Sequence, residues 1–249
     1  MCLVLLAVNQ HKDYPLIIAA NRDEFYPRPS KSMHWWPSDT PLLAGKDLQE
    51  GGTWLGLTES GRFATVTNYR EMPITVGRYS RGKLALEWLH QDIAAEHFHQ
   101  QLPLADYAGF NLLFGNIKQQ NLYHLSNRSK DLQAIHSGFY GLSNALLDSP
   151  WPKITSAKPI MAQLVQRSFH AEDWFALLAD RNQADDSVLP NTGVDSAVER
   201  LLSSRFIQSE AYGTRCSTII CVDKQHKVQV YERSFDQLGQ VSQNLHFHF

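Results

Sequence analysis

Cys2-Leu3-Val4-Leu5-Leu6-Ala7-Val8, a polar stretch, and then Pro15-Leu16-Ile17-Ile18-Ala19-Ala20-Asn21-Arg22-Asp23-Glu24 decide how this chain folds. Two apolar runs flank polar residues 10–14, which end before Pro15. That is the pattern of a β-hairpin. With the turn centred near Lys12 and Asp13, Cys2 is expected opposite residues 21–24. Directly opposed strand residues have Cβ atoms about 4.5–5.5 Å apart, so the hairpin alone delivers Arg22 or Asp23 to Cys2. Both strands are apolar almost throughout, which predicts a sheet covered on both faces.

Cys2 follows the initiator methionine. Removal of Met1 would leave a thiol and a free α-amine on one residue. An α-amine titrates at roughly 7.7–8.0, close to working pH, and serves as a base for its own side chain. Threonine with its own amine works in this way. The competing reading is packing: cysteine is among the most buried residue types, and an early strand accommodates one readily.

The chain has 249 residues, of which 43% are hydrophobic, enough for one domain over residues 1–249 with an ample core. Its 23 basic and 25 acidic residues balance to a net charge of -2, so no basic excess points to nucleic acid. Cys2, Cys216 and Cys221 are too few and too irregular for a disulfide framework and suggest a reducing compartment. Cys216 and Cys221 are an odd number of strand positions apart and are expected on opposite faces. No targeting leader or membrane-length apolar stretch is apparent, and the expectation is a cytoplasmic protein. Oligomeric state is not legible.

Further along, residues 26–37 read as a loop rich in proline and tryptophan. Residues 51–57 and 62–68 read as a second hairpin, and 80–96 as an amphipathic helix capped by Ser80. Residues 110–115 and 121–126 form a third hairpin, and 139–143 a short strand. Helical patterning covers 153–195, with a polar break at 182–186 and a turn at 189–193, and 197–205 is a short helix. Strands over 216–222, 228–233 and 241–249 follow. Hairpins dominate, so the sheets should be mainly antiparallel. Helices on the outer faces of two stacked sheets give an α+β fold of four layers, α-β-β-α.

Several residues are candidates for chemistry. Asp23 can position an α-ammonium, and Arg22 can stabilise a thiolate, since a nearby cation lowers a cysteine pKa. Asn68 and Asn144 each end a short strand. Each is a turn residue or an oxyanion donor, and one such donor is worth about 2.7–4 kcal/mol in a transition state. Arg215 is a strand-entry residue or a second cation. Trp35, Trp36 and Trp54 are candidate walls of a substrate cleft. His97-x-His99 and His246-x-His248 are too few ligands for a metal site, and none is expected.

Taken together, these residues resemble the NRDE family, also called the transport and Golgi organisation protein 2 family. The resemblance rests on the Met1-Cys2 start, Asn21-Arg22-Asp23-Glu24, Gly51-Gly52-Thr53-Trp54-Leu55-Gly56 and Thr67-Asn68-Tyr69-Arg70. It continues through Ser80-Arg81-Gly82, Gly109-Phe110-Asn111-Leu112-Leu113, Gly141-Leu142-Ser143-Asn144, Asp148-Ser149-Pro150-Trp151-Pro152-Lys153 and Tyr212-Gly213-Thr214-Arg215. That family in turn is similar to the N-terminal-nucleophile hydrolases, and to the choloylglycine hydrolase and penicillin V acylase group among them. The resemblance implies Cys2 as nucleophile, Asp23 as the acid that positions its amine, Asn68 and Asn144 as oxyanion contacts and Arg215 as a supporting cation. One position departs. Those acylases carry arginine three residues before the aspartate, where this chain has Ala20, and its arginine is Arg22. Adjacent strand residues point to opposite faces, so Arg22 and Asp23 face Cys2 together only if a strand ends or bulges there.

Two functions follow as expectations. One is a hydrolase that cleaves a small amide or thioester through an acyl-enzyme and needs no cofactor. The other is a non-catalytic protein that binds or moves haem, an acyl-CoA or a lipid on the same scaffold.

Overall fold

The computed structural model describes residues 2–37 and 41–249, and for Cys2 the backbone alone. The first nine strands are β1 (Cys2–Val8), β2 (Leu16–Phe25), β3 (Ser30–Trp36), β4 (Leu42–Asp47), β5 (Leu55–Thr58), β6 (Arg62–Asn68), β7 (Phe110–Asn116), β8 (Asn121–Ser126) and β9 (Leu132–Ile135). The last four are β10 (Gly138–Leu142), β11 (Tyr212–Val222), β12 (Val228–Phe235) and β13 (Val241–His248). The helices are α1 (Arg81–His90), α2 (Ala95–Gln101), α3 (Pro152–Thr155), α4 (Ala157–Leu164), α5 (Ala171–Leu178) and α6 (Ser196–Leu201). Six strands form one sheet in the order β10-β1-β2-β11-β12-β13, and seven form another, β3 through β9 in sequence order. Every named pairing is antiparallel.

Side-chain alternation builds the layers. Leu3, Leu5, Ala7, Ile17, Ala19 and Cys221 face outward and pack on Ile154, Met161, Trp174 and Leu178 of α3–α5. Val4, Leu6, Ile18 and Val230 face inward and meet Leu55, Leu57, Phe63 and Leu113 of the second sheet. The far side of that sheet packs Ala44, Ala64 and Phe114 against Leu84, Trp88 and Phe98 of α1 and α2. The result is the expected α-β-β-α stack, with apolar residues on both faces of β1 and β2.

The structure revises three local expectations. Residues 30–36 are an edge strand rather than loop; Met33 is the one residue of β3 that is fully buried, so alternation leaves little trace in the sequence. The helix over 80–96 stops at His90 and restarts at Ala95. Arg62 donates from Nε and Nη2 to the Trp88 carbonyl (3.1 and 2.9 Å), which also takes the Gln91 N–H (3.3 Å) at the end of the helix. Strand β11 begins at Tyr212 rather than Cys216 and carries a bulge between Thr214 and Cys216.

Candidate active site at the end of the central hairpin

The β1–β2 register pairs Cys2 with Arg22, within the expected window. The Cys2 side chain and Met1 lie outside the described residues. Around them, residues 21–24 alternate between two surroundings. Asn21 points into the helical layer. Its Nδ2 donates to the carbonyls of Leu178 (3.0 Å) and Arg205 (2.8 Å), and its Oδ1 accepts from Ser217 Oγ (2.5 Å). Arg22 points between the sheets, its guanidinium 4.1 Å from the centre of the Trp54 ring. Trp54 lies flat on Gly45, where a Cβ would come within 2.1 Å of the indole, so the absence of a side chain at Gly45 seats the ring that carries Arg22. Asp23 is 1% exposed, and its Oδ1 accepts from Thr214 Oγ1 (2.7 Å). Glu24 reaches the cleft beside Arg28, which pairs more closely with Asp47 (2.6 Å).

The bulge sets this arrangement. Thr214 opposes Asp23 and Cys216 opposes Arg22, so Arg215 is the extra residue. A bulge residue is unpaired and re-aims its side chain. Arg215 turns onto the chain leaving β2 and donates from Nη1 to the carbonyls of Phe25 and Tyr26 (both 3.1 Å) and of Arg28 (3.3 Å). Burial lowers its pKa, and the nearby positive charge of Arg22 lowers it further. Arg22 and Arg215 share a cavity of about 160 Å³ with Cys216 and Glu232. Burial pushes the Glu232 carboxyl above the usual range, while bonds from Met33 N (2.7 Å) and Thr218, with the charge of Arg22, act against it. Burial likewise raises Asp23, opposed by the Lys153 ammonium, the Thr214 hydroxyl and Arg22.

Asn68 and Asn144 meet across the two sheets. Asn144 is fully buried and its Nδ2 donates to the Asn68 carbonyl (2.8 Å), while Thr67 Oγ1 donates to the Ser143 carbonyl (2.6 Å). One amide hydrogen of Asn144 is therefore committed to holding the sheets together.

A cleft of about 460 Å³ opens here, lined by Arg22, Asp23, Trp54, Asn68, Thr75 and Arg81 among others. It gathers four of the candidates, Arg22, Asp23, Trp54 and Asn68. Asn144 and Arg215 stand behind its wall. Trp35 and Trp36 are elsewhere: Trp35 packs edge-on against Phe249 at 5.5 Å, and Trp36 donates to the Ala44 carbonyl on the outer side of the second sheet. Of the three tryptophans expected in a substrate cleft, the structure brings Trp54 alone to it; β3 is an edge strand and carries the other two away. Sequence reasoning missed Thr214, Glu232 and Lys153. A buried lysine at the start of a short helix carries no mark in sequence that separates it from a solvent-facing one. Among the described residues no group of three or more His, Cys, Asp or Glu side chains is placed to hold a metal, and no helix is long and apolar enough to cross a membrane.

The layered sheets, with an N-terminal strand ending at this cleft, define a protein of the N-terminal-nucleophile hydrolase fold. A conjugated bile acid hydrolase from Clostridium perfringens superposes with a TM-score of 0.56 over 99% of this chain and 92% of its own, at 10% identity. An N-acylethanolamine-hydrolyzing acid amidase orthologue from Caenorhabditis elegans gives 0.52 over 88% and 92%, at 11% identity. Within that fold the chain belongs to the Transport and Golgi organisation 2 family, whose model matches residues 1–237. The human Transport and Golgi organization protein 2 homolog is 34% identical over 89% of this chain and 87% of that protein.

Proposed function

We propose that this protein is an N-terminal cysteine hydrolase that opens a small amide or thioester through an acyl-enzyme. The observation that carries the reading is the strand register, which pairs Cys2 with Arg22 next to a buried Asp23 at the edge of a cleft. In this reading Met1 is removed and the α-amine takes the Cys2 thiol proton. The thiolate attacks the carbonyl, a C–S bond forms, and the carbonyl electron pair moves to oxygen. Asn68, which lines the cleft, is the donor for that oxyanion, and Asn144 acts through it by holding the Asn68 carbonyl. The α-ammonium returns its proton to the leaving amine or thiol, and water then releases the acyl group. One solved structure of this fold is a conjugated bile acid hydrolase and another an N-acylethanolamine-hydrolyzing acid amidase, which supports hydrolysis and, through the second, an amide bond.

The test is the intact mass of untagged protein, followed by a screen of amides and thioesters against Cys2→Ala. Loss of one methionine and turnover abolished in Cys2→Ala are expected. A retained Met1, or turnover that survives Cys2→Ala, overturns the mechanism. Saturable haem or acyl-CoA binding with no turnover would favour the transport role that the relatives' names suggest.

A further inference from the structure

The inner face of the six-stranded sheet turns polar at its end nearest the cleft. Arg22 on β2 opposes Cys216 on β11, and Cys216 opposes Ser234 on β12. Directly opposed strand residues point to one face, so these side chains form a row between the sheets. Ser32 of β3 stands across the gap, its Oγ 3.2 Å from Ser234 Oγ. The bulge brings Arg215 to the same space, the cavity of about 160 Å³ that Ser30 also lines. A water molecule takes up about 30 Å³ in the liquid, so this space admits a group of several heavy atoms. Arg22 and Trp54 line both this cavity and the 460 Å³ cleft, so the two share a wall.

Two guanidinium groups meet in this cavity. Arginine is almost never fully buried unless paired, and Arg22 is 6% exposed. Yet among the described residues neither Arg22 nor Arg215 belongs to an ion pair. Arg22 rests on the Trp54 ring, and its Nη1 reaches Ser30 Oγ at 3.5 Å, the outer limit of a hydrogen bond. Arg215 spends Nη1 on the carbonyls of Phe25, Tyr26 and Arg28, and its Nε and Nη2 carry further donors. The carboxyl that lines this cavity, Glu232, takes the Met33 N–H (2.7 Å), the Thr218 hydroxyl (3.4 Å) and the Cys216 thiol instead. Lys31, exposed on β3, adds a third cation at the rim.

We propose that this cavity is a subsite for a tetrahedral oxyanion, a phosphate or sulfonate group, carried by the substrate of the neighbouring cleft. A planar carboxylate matches a single guanidinium fork. Here the donors converge from several strands: Arg22 from β2, Ser30 and Ser32 from β3, Arg215 from β11 and Ser234 from β12. That suits an anion whose oxygens point in several directions. Neighbouring strands lie about 4.8 Å apart. Cys2 pairs with Arg22 on one side of β2, and Cys216 pairs with it on the other. The subsite is therefore within about two strand spacings of the Cys2 backbone, and the substrate carries its anionic group a few bonds from the scissile carbonyl. The inference takes the opened bond from the hydrolase reading above; the anion rests on this cavity alone.

The test uses N-hexanoylethanolamine and its O-phosphate, two amides that differ by the phosphate alone. Binding is read in full-length Cys2→Ala protein from the Nε–H resonances of Arg22 and Arg215 at constant ionic strength, and turnover is read in the wild type. Inorganic phosphate is expected to shift both resonances saturably, and acetate to leave them in place. The O-phosphate should bind about tenfold or more tightly than the neutral amide, the scale of one hydrogen bond to a charged group. Arg215→Gln should erase that preference. Ser234→Asp, which sets a carboxylate in the cavity and leaves the Arg215 carbonyl contacts alone, should erase it too. Shifts that acetate reproduces, or equal binding of the two amides, overturn the subsite whether or not Cys2 reacts. Saturable phosphate binding with no preference for the O-phosphate assigns the cavity to free phosphate and overturns its role in substrate recognition. Tighter binding of the O-phosphate with no turnover in the wild type sustains the anion site and overturns the hydrolase reading.

Discussion

Asn21 shows how much one side chain can hold. It satisfies two carbonyls of the helical layer and one hydroxyl of β11 with a single amide. Asn21→Ala strips three buried partners at once. Each unsatisfied group costs about 1–3 kcal/mol, so a loss of at least about 3 kcal/mol in chemical denaturation is expected. Asn21→Asp should cost more than Asn21→Ala, because it places a carboxylate against two carbonyl oxygens. Equal costs would mean that the residue fills space rather than ties layers.

Strand β11 depends on one extra residue. Deleting Arg215 leaves Thr214 opposite Asp23 and Cys216 opposite Arg22, so the ladder closes with its register kept and the bulge gone. What is lost is the Arg215 guanidinium on the carbonyls of Phe25, Tyr26 and Arg28. Hydrogen bonds of this kind are worth about 1 kcal/mol each, so the deletion should preserve the far-ultraviolet circular dichroism spectrum and cost about 1 kcal/mol or more in chemical denaturation. Unchanged stability would show that Arg215 does not hold the chain leaving β2. The hairpin of β1 and β2 was legible because both strands are apolar on both faces and joined by a short polar turn. The helical break after His90 was not, because the Arg62 side chain that binds the Trp88 carbonyl there is distant in sequence. The bulge was not, because an unpaired strand residue leaves no compositional trace. Cys2, Arg22 and Asp23 fell together because the hairpin register is a local property, whereas Asn68 reaches the same cleft from β6 of the other sheet. Trp35 and Trp36 did not, because strand order across a sheet is a global one.

Across the whole molecule, Glu232 clasps the two sheets. It reaches from β12 to the backbone N–H of Met33 on β3 at 2.7 Å. Its carboxyl is raised by burial. In the folded protein it therefore binds its proton more tightly than in the unfolded chain. Its stability contribution is full below the ordinary carboxyl range and is lost as pH rises through the folded value. Glu232→Gln keeps an acceptor for Met33 and cannot ionise. Melting temperatures from pH 5 to 8 should show the variant gaining on the wild type as pH rises. Parallel profiles would mean that Glu232 keeps its proton throughout that range.

The alternation of residues 21–24 also bears on how this four-letter signature should behave in descent. Asn21 answers to architecture, and in the proposed mechanism Asp23 answers to the reaction. A lineage that kept the shell and abandoned turnover would be held to the asparagine but released from the aspartate. Retention of the first letter of the signature therefore says that the scaffold survives, and drift at the third marks where the chemistry has been given up.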